Sequence, residues 1–224
     1  MRRAHRHGSW YDRCATQYDR TRPYLPGELD FYRALARAAI PPLLVLACGT
    51  GRVALAVAAV AGPVVALDRS AAMLAVARAA APATANVHWV RGDMRAFAFA
   101  CRFGLICLPF RSLQHLLAPA DQLAALRCCA EHLQPGGRLA FSLGNPQPLR
   151  RLLARFAARQ GGLDAQASLR GGPRGAPFRY LEPEEVNALL RAAGLDVERV
   201  SGGFAGEPLT AWSMEQVWVA RRPA

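Results

Sequence analysis

The apolar positions of the chain fall into short runs separated by segments of helix length. Leu43 to Ala47 is apolar at every position, as a strand buried on both faces reads. An apolar helical segment follows from Arg52 to Ala61, and Val64 to Leu67 is a second strand that ends at Asp68. Ser70 stands where a helix N-cap belongs, before Ala71 to Ala80. Val87 to Val90 and Phe103 to Leu108 read as the third and fourth strands, the latter stopped by Pro109. Pro119 to Leu133 reads as a helix, and Pro135-Gly136-Gly137 turns the chain into a fifth strand, Arg138 to Leu143. Pro183 to Ala193 is a further helix. Leu195 to Val200 and Met214 to Ala220 then read as strands with no room for a long helix between them. Upstream, a short helix over Tyr11 to Arg20 and a clearer one over Leu29 to Ala39 precede Pro41-Pro42.

Strands alternating with helices predict right-handed βαβ units, and the last two strands predict a closing hairpin. The expected fold is therefore α/β, a three-layer Rossmann-like open sheet of about seven strands, mostly parallel with a C-terminal antiparallel hairpin. Residues 1–40 are expected to form an N-terminal helical cover and 41–224 the main domain. The Arg-, Gly- and Pro-rich stretch 146–178 is expected to be a short substrate cap.

Composition narrows this only slightly. At 224 residues and 52% hydrophobic, one globular domain is expected. The net charge of +12 invites a nucleic-acid reading, yet all 28 basic residues are Arg, scattered through an Ala-rich chain. No dense basic block with interleaved aromatics occurs, so dispersed, solvated Arg is the expectation and nucleic acid is not an expected partner. The six cysteines form no C-x-x-C pair and match no common zinc or disulfide framework. No metal is expected, and the cysteine usage suits a reducing cytoplasm. The longest apolar run, around Val53 to Leu67, is broken by Gly62-Pro63. Neither a membrane span nor a secretory leader is expected.

Ligands of open parallel sheets bind beyond the carboxyl ends of the strands. Three polar features fall there in order. Gly49-Thr50-Gly51-Arg52 follows the first strand, where glycine admits a close ligand and the next helix presents free N–H groups. Asp68 ends the second strand, 17 residues past Gly51, where a carboxylate can accept both hydroxyl hydrogens of a ribose. Gly92-Asp93-Met94 ends the third, where Asp93 can accept from an exocyclic amine and Met94 can pack on a purine face. Gly49-x-Gly51-x-x-Ala54 also fits the turn of a nicotinamide dehydrogenase. Asp93-Met94 and the terminal hairpin speak against that alternative.

As a set, these segments resemble the class I S-adenosylmethionine-dependent methyltransferases, in their small-molecule branch. Val45 to Arg52 resembles their first motif, Ala66 to Leu74 their second, and Gly92 to Arg95 their adenine-side motif. Leu133 to Leu139 resembles the turn before their fifth strand, Tyr18-Asp19 an N-terminal element, and Pro109 to Leu117 the loop after strand four. The resemblance implies S-adenosylmethionine as cofactor and methyl transfer to N, O or C of a small-molecule acceptor. It implies that Ala47, Gly49, Thr50, Gly51 and Arg52 border the methionine part of the cofactor. Asp68 would hold the ribose, with Arg69 and Met73 flanking the adenosine. Gly92, Asp93 and Met94 would hold adenine, Leu108 and Pro109 the wall near the sulfonium, and Tyr18 the cover. His115 is the candidate base, or a structural histidine of the following short helix; Tyr11 and Arg111 are candidate acceptor contacts. Phe178, Tyr180, Phe204 and Trp212 are expected either to wall the acceptor pocket or to fill core. The resemblance also implies acids where this chain has Leu46 and Gly104, which leaves open a binding-fold protein with little or no catalysis. An RNA methyltransferase is the remaining alternative, suggested by charge alone.

Overall fold

The structure is a computed structural model and describes residues 7–22, 24–152 and 177–224. Its seven-stranded sheet has the order β3-β2-β1-β4-β5-β7-β6. The strands are β1 (Leu43–Leu46), β2 (Val64–Asp68), β3 (Val87–Arg91), β4 (Phe103–Leu108), β5 (Leu133–Gly144), β6 (Asp196–Ser201) and β7 (Glu215–Arg221). The first five run parallel. β7 pairs antiparallel with β5 and with β6, so the expected hairpin is present and its second strand is the inner one.

The continuous apolar runs of the central strands are explained by cover on both faces. Leu44, Leu46, Ile106 and Leu108 point into one core with α6 (Pro119–His132) and α7 (Pro183–Ala192). Leu43, Val45, Leu105 and Cys107 point into the other, with α3 (Glu28–Arg37) and α4 (Arg52–Ala61). Every position of β1 and β4 is buried. Truncating any of these leucines to Ala would cost ~2–5 kcal/mol. α5 (Ala71–Ala80) begins as expected, its Ser70 hydroxyl accepting the Met73 N–H. At the N-terminus, α1 (His7–Cys14), a 3₁₀ turn and α2 (Tyr18–Thr21) lead to α3.

β5 starts at Leu133, five residues before the expected Arg138, because Leu133 pairs with Phe103, the Gly136 N–H donates to the Arg222 carbonyl and the Gly137 carbonyl accepts the Arg222 N–H. The β4–β5 register shifts between Phe103 and Leu105. Gly104 sits at that shift, under the backbone of Ile40; a Cβ there would lie 2.0 Å from the Ile40 carbonyl oxygen. The cap expected over 146–178 lies mostly outside the described residues. No helix among the described residues is long and apolar enough to cross a membrane.

Candidate functional site

A cavity of about 230 Å³ opens at the carboxyl ends of β1 to β4, beneath α1 and α2. Three non-glycine residues among those described have left-handed backbones, Ala47 (φ 48°), Phe110 (φ 55°) and Arg111 (φ 62°). Ala47 follows β1, Phe110 and Arg111 follow β4, and such conformations cost ~1–3 kcal/mol each. Among the described residues, the left-handed non-glycine backbones thus lie in the two turns that shape the cavity.

Asp68 is the anchor of the first turn. Its carboxylate accepts the Gly49 N–H on one oxygen and the Ser70 N–H on the other, each at 2.8 Å. Burial raises its pKa and these N–H groups oppose the rise. A carboxylate offers about four lone-pair sites, so these bonds leave it able to accept from a ligand hydroxyl. Asp93 is held differently. The Arg95 guanidinium grips it at 2.7 Å and reaches Asp121 at 3.0 Å, and that hydrogen bond lowers the Asp93 pKa. Arg69, Met73, Gly92 and Met94 complete this end of the wall.

The opposite end is aromatic. Arg52 lies under the rings of Tyr24, Phe110 and Tyr18, at 4.5, 5.0 and 5.9 Å. Its guanidinium donates to the Arg22 carbonyl at 2.8 Å and faces Asp19 at 3.6 Å. Asp19 also accepts the Thr50 hydroxyl at 2.8 Å, which ties α2 to the glycine turn. α1 is tied likewise, since Asp12 accepts the Ser70 hydroxyl. Tyr11 Oη lies 2.7 Å from His115 Nε2, and His115 Nδ1 lies 3.0 Å from the Pro177 carbonyl. That carbonyl can only accept, so Nδ1 carries the proton and Nε2 accepts from Tyr11. Burial pushes the Tyr18 phenol up to about 12 and the Tyr11 phenol higher still. Phe178 packs edge-on against His115, at 5.3 Å between ring centroids.

Tyr11, Tyr18, Ala47, Gly49, Thr50, Arg52, Asp68, Arg69, Met73, Gly92, Asp93, Met94, Pro109 and His115 all border the cavity. Gly51, Leu108 and Arg111 do not. Gly51 (φ 88°) turns its back to the cavity, and a Cβ there would meet Trp89 at 2.6 Å. Leu108 is 1% exposed and packs into the core. Arg111 is drawn away by Glu215, with which it forms a two-point ion pair. Phe204 fills core against Phe31, whereas Trp212 is exposed beneath Arg151. Neither Leu46 nor Gly104 borders the cavity, and no position of β1 is exposed to it. An acid at either place would lie in core, so its absence removes nothing from the cavity wall.

Sequence reasoning missed Glu28, Phe110 and the Arg95–Asp121 bridge, all on the wall. Asp121 reads in sequence as an ordinary first-turn acid of α6, and Glu28 as that of α3. Glu28 is 1% exposed nonetheless, and no periodic signal distinguishes it from Asp30.

The family described as "Methyltransferase domain" matches residues 43–137. A cypemycin N-terminal methyltransferase from a Streptomyces species is 30% identical over 203 residues, covering 80% of this chain and 82% of that protein. A ubiquinone biosynthesis O-methyltransferase of Azotobacter vinelandii is 30% identical over 92% of this chain and 84% of its own length. Among solved structures, the CcbJ methyltransferase from Streptomyces caelestis superposes with a TM-score of 0.78 at 26% identity, covering 96% of this chain and 98% of that one.

Proposed function

This chain belongs to the S-adenosylmethionine-dependent methyltransferases, and from that premise we propose that it methylates an amine nitrogen or a hydroxyl oxygen of a small molecule. The observation that carries this reading is that one cavity has Asp68 and Asp93 at one end and the Tyr11–His115 pair on its wall. The residues fit the cofactor. Asp68 is still able to accept from a ribose hydroxyl, and a Cβ on Gly49 would meet only open space, which leaves room for the ligand. Met73, Met94 and Leu67 offer apolar surface to a purine.

When bound, S-adenosylmethionine supplies an electrophilic methyl group on a positively charged sulfur. The protein's own contribution is alignment, exclusion of water and the handling of one proton. Tyr18 and Phe110 close the cavity on the side of the glycine turn, and α1 lies across it. The acceptor's proton passes to Tyr11 Oη as the Tyr11 proton moves to His115 Nε2. The Pro177 carbonyl keeps Nε2 in the accepting tautomer. The raised Tyr11 pKa keeps the phenol protonated and able to donate. All six cysteines are free thiols, which supports a reducing, cytoplasmic setting.

The test pairs calorimetry with turnover. The protein should bind S-adenosylhomocysteine and consume S-adenosylmethionine in the presence of members of a panel of small amines and phenols. Binding without turnover on any amine or hydroxyl compound would count against the acceptor class. An RNA acceptor would instead reveal itself by affinity that falls steeply with salt.

A further inference from the structure

Of the two cavity carboxylates that the sequence motifs do not account for, Asp121 is paired with Arg95 and Glu28 is not paired with a cation by an ion pair. Glu28, at the start of α3, is 1% exposed, and its Oε1 has no hydrogen-bond partner among the described residues. Buried carboxylates are ordinarily paired, because an unpartnered one forfeits its hydration. This one borders the same cavity as Ala47, Thr50 and Arg52. We propose that Glu28 holds the α-ammonium group of the cofactor's methionine portion; this rests on the reading of the cavity as an S-adenosylmethionine site.

The placement follows from the sheet. Asp93 follows β3 and Asp68 ends β2, and the strand order continues through β1 to β4 and on to β7. The groups that face Glu28 are Arg52 of α4, Arg111 and the Phe110 backbone after β4, the Leu25 backbone before α3, and Glu215 of β7. Adjacent strands are spaced ~4.8 Å apart. An adenosine held at β2 and β3 therefore directs its amino-acid tail across β1 toward Glu28. That tail is a zwitterion, and the cavity meets it with both signs, because Arg52 borders the same end. Arg52 can offer donors to the carboxylate, while Glu28 presents a carboxylate with one oxygen unpaired among the described residues. Glu215 is committed to Arg111, and Asp19 to Thr50 and Arg52.

The charge state of Glu28 supports a pH readout. Burial pushes its carboxyl up to about 7, with Glu215 adding to the rise and Arg52 and the backbone N–H groups opposing it. Tyr32, one turn on in α3, is neutral in this range, since burial raises its phenol far above its ordinary value. Below pH 7 a cation must displace a proton from Glu28 to bind, so its affinity falls as pH falls.

Two probes separate the ammonium from the rest of the cofactor. S-adenosylhomocysteine carries the amino-acid end, and 5′-methylthioadenosine lacks it. Calorimetric titration at pH 8 should show Glu28→Gln weakening S-adenosylhomocysteine by about tenfold or more, as loss of a charge-assisted bond does. Methylthioadenosine should change by less than about twofold. In the wild-type protein, the preference for S-adenosylhomocysteine should shrink as pH falls from 8 to 5.5, approaching about tenfold per pH unit. Equal weakening of both probes, no weakening of either, or a preference that ignores pH overturns the proposal. A rise in acceptor KM alone assigns Glu28 to the acceptor and overturns it too. Failure of both probes to bind wild type is a separate result, because it removes the reading of the cavity itself.

Discussion

Replacing Glu28 by Gln should stabilise the ligand-free protein at neutral and alkaline pH. The carboxyl is raised from 4.5 to about 7 in the folded chain, mainly by burial. Each pKa unit corresponds to ~1.4 kcal/mol, so the ionised carboxylate costs the folded state up to ~3 kcal/mol at pH 8. The folded chain holds this proton more tightly than the unfolded chain. Wild-type stability contributed by Glu28 is therefore full below pH 4.5 and is lost as pH rises through 7. Glutamine is nearly isosteric and does not ionise, so the variant should match wild type at pH 5 and exceed it at pH 8. The figure is an upper bound, because the Phe110 and Leu25 amides that favour the carboxylate would lose part of their partner. Urea unfolding of both proteins at pH 5, 6, 7 and 8 measures the difference directly. A variant less stable than wild type at pH 8, or a difference that does not vary with pH, would refute the reasoning. Saturating S-adenosylhomocysteine should narrow or reverse the ranking, since only the wild-type site gains from the ammonium.

Three further outcomes follow from the same geometry. Asp68→Asn places an amide N–H₂ against the N–H of Gly49 or Ser70; it should cost ~1–3 kcal/mol of stability and weaken S-adenosylhomocysteine by about a hundredfold, checked by melting and calorimetry. Tyr11→Phe removes the hydroxyl that meets His115 and should lower kcat by ~100-fold with little change in cofactor affinity, as expected for a proton-transfer group; an unchanged kcat would end the relay. Gly104→Ala forces a Cβ against the Ile40 carbonyl and should destabilise by ~1–3 kcal/mol or more while leaving cofactor affinity per folded molecule intact; an unaltered melting curve would show that β4 can shift freely.

The fold was largely legible because its signals are local. A short apolar run bounded by turn residues, such as Leu43 to Leu46, reads as a strand covered on both faces, and Ser70 announces α5 by a hydrogen bond within its own turn. The adenosine end of the site was legible for a related reason. Asp68 and Asp93 sit at strand ends, and strand ends are what apolar runs locate. The other end depends on contacts between residues far apart in sequence. Tyr11 meets His115 across 104 positions, and Arg111 meets Glu215 across another 104. No spacing rule foretells that Arg111 is spent on Glu215, or that an acid opening α3 is buried. That neither Leu46 nor Gly104 borders the cavity is likewise a fact of packing that no spacing rule gives.

The place of β7 bears on how the molecule is made. It is the latest of the seven strands to leave the ribosome, yet it lies between β5 and β6, pairing with seven consecutive residues of β5 from Arg138 to Gly144. Six of its seven residues are buried. Until it arrives, β5 has an open edge and β6 has no neighbour, so the nascent sheet carries an unpaired strand that other chains could template upon. Glu215, at its first position, also supplies the partner for Arg111. Completion of the sheet and the fastening of the turn behind the cavity are thus one event, which awaits the last of the seven strands.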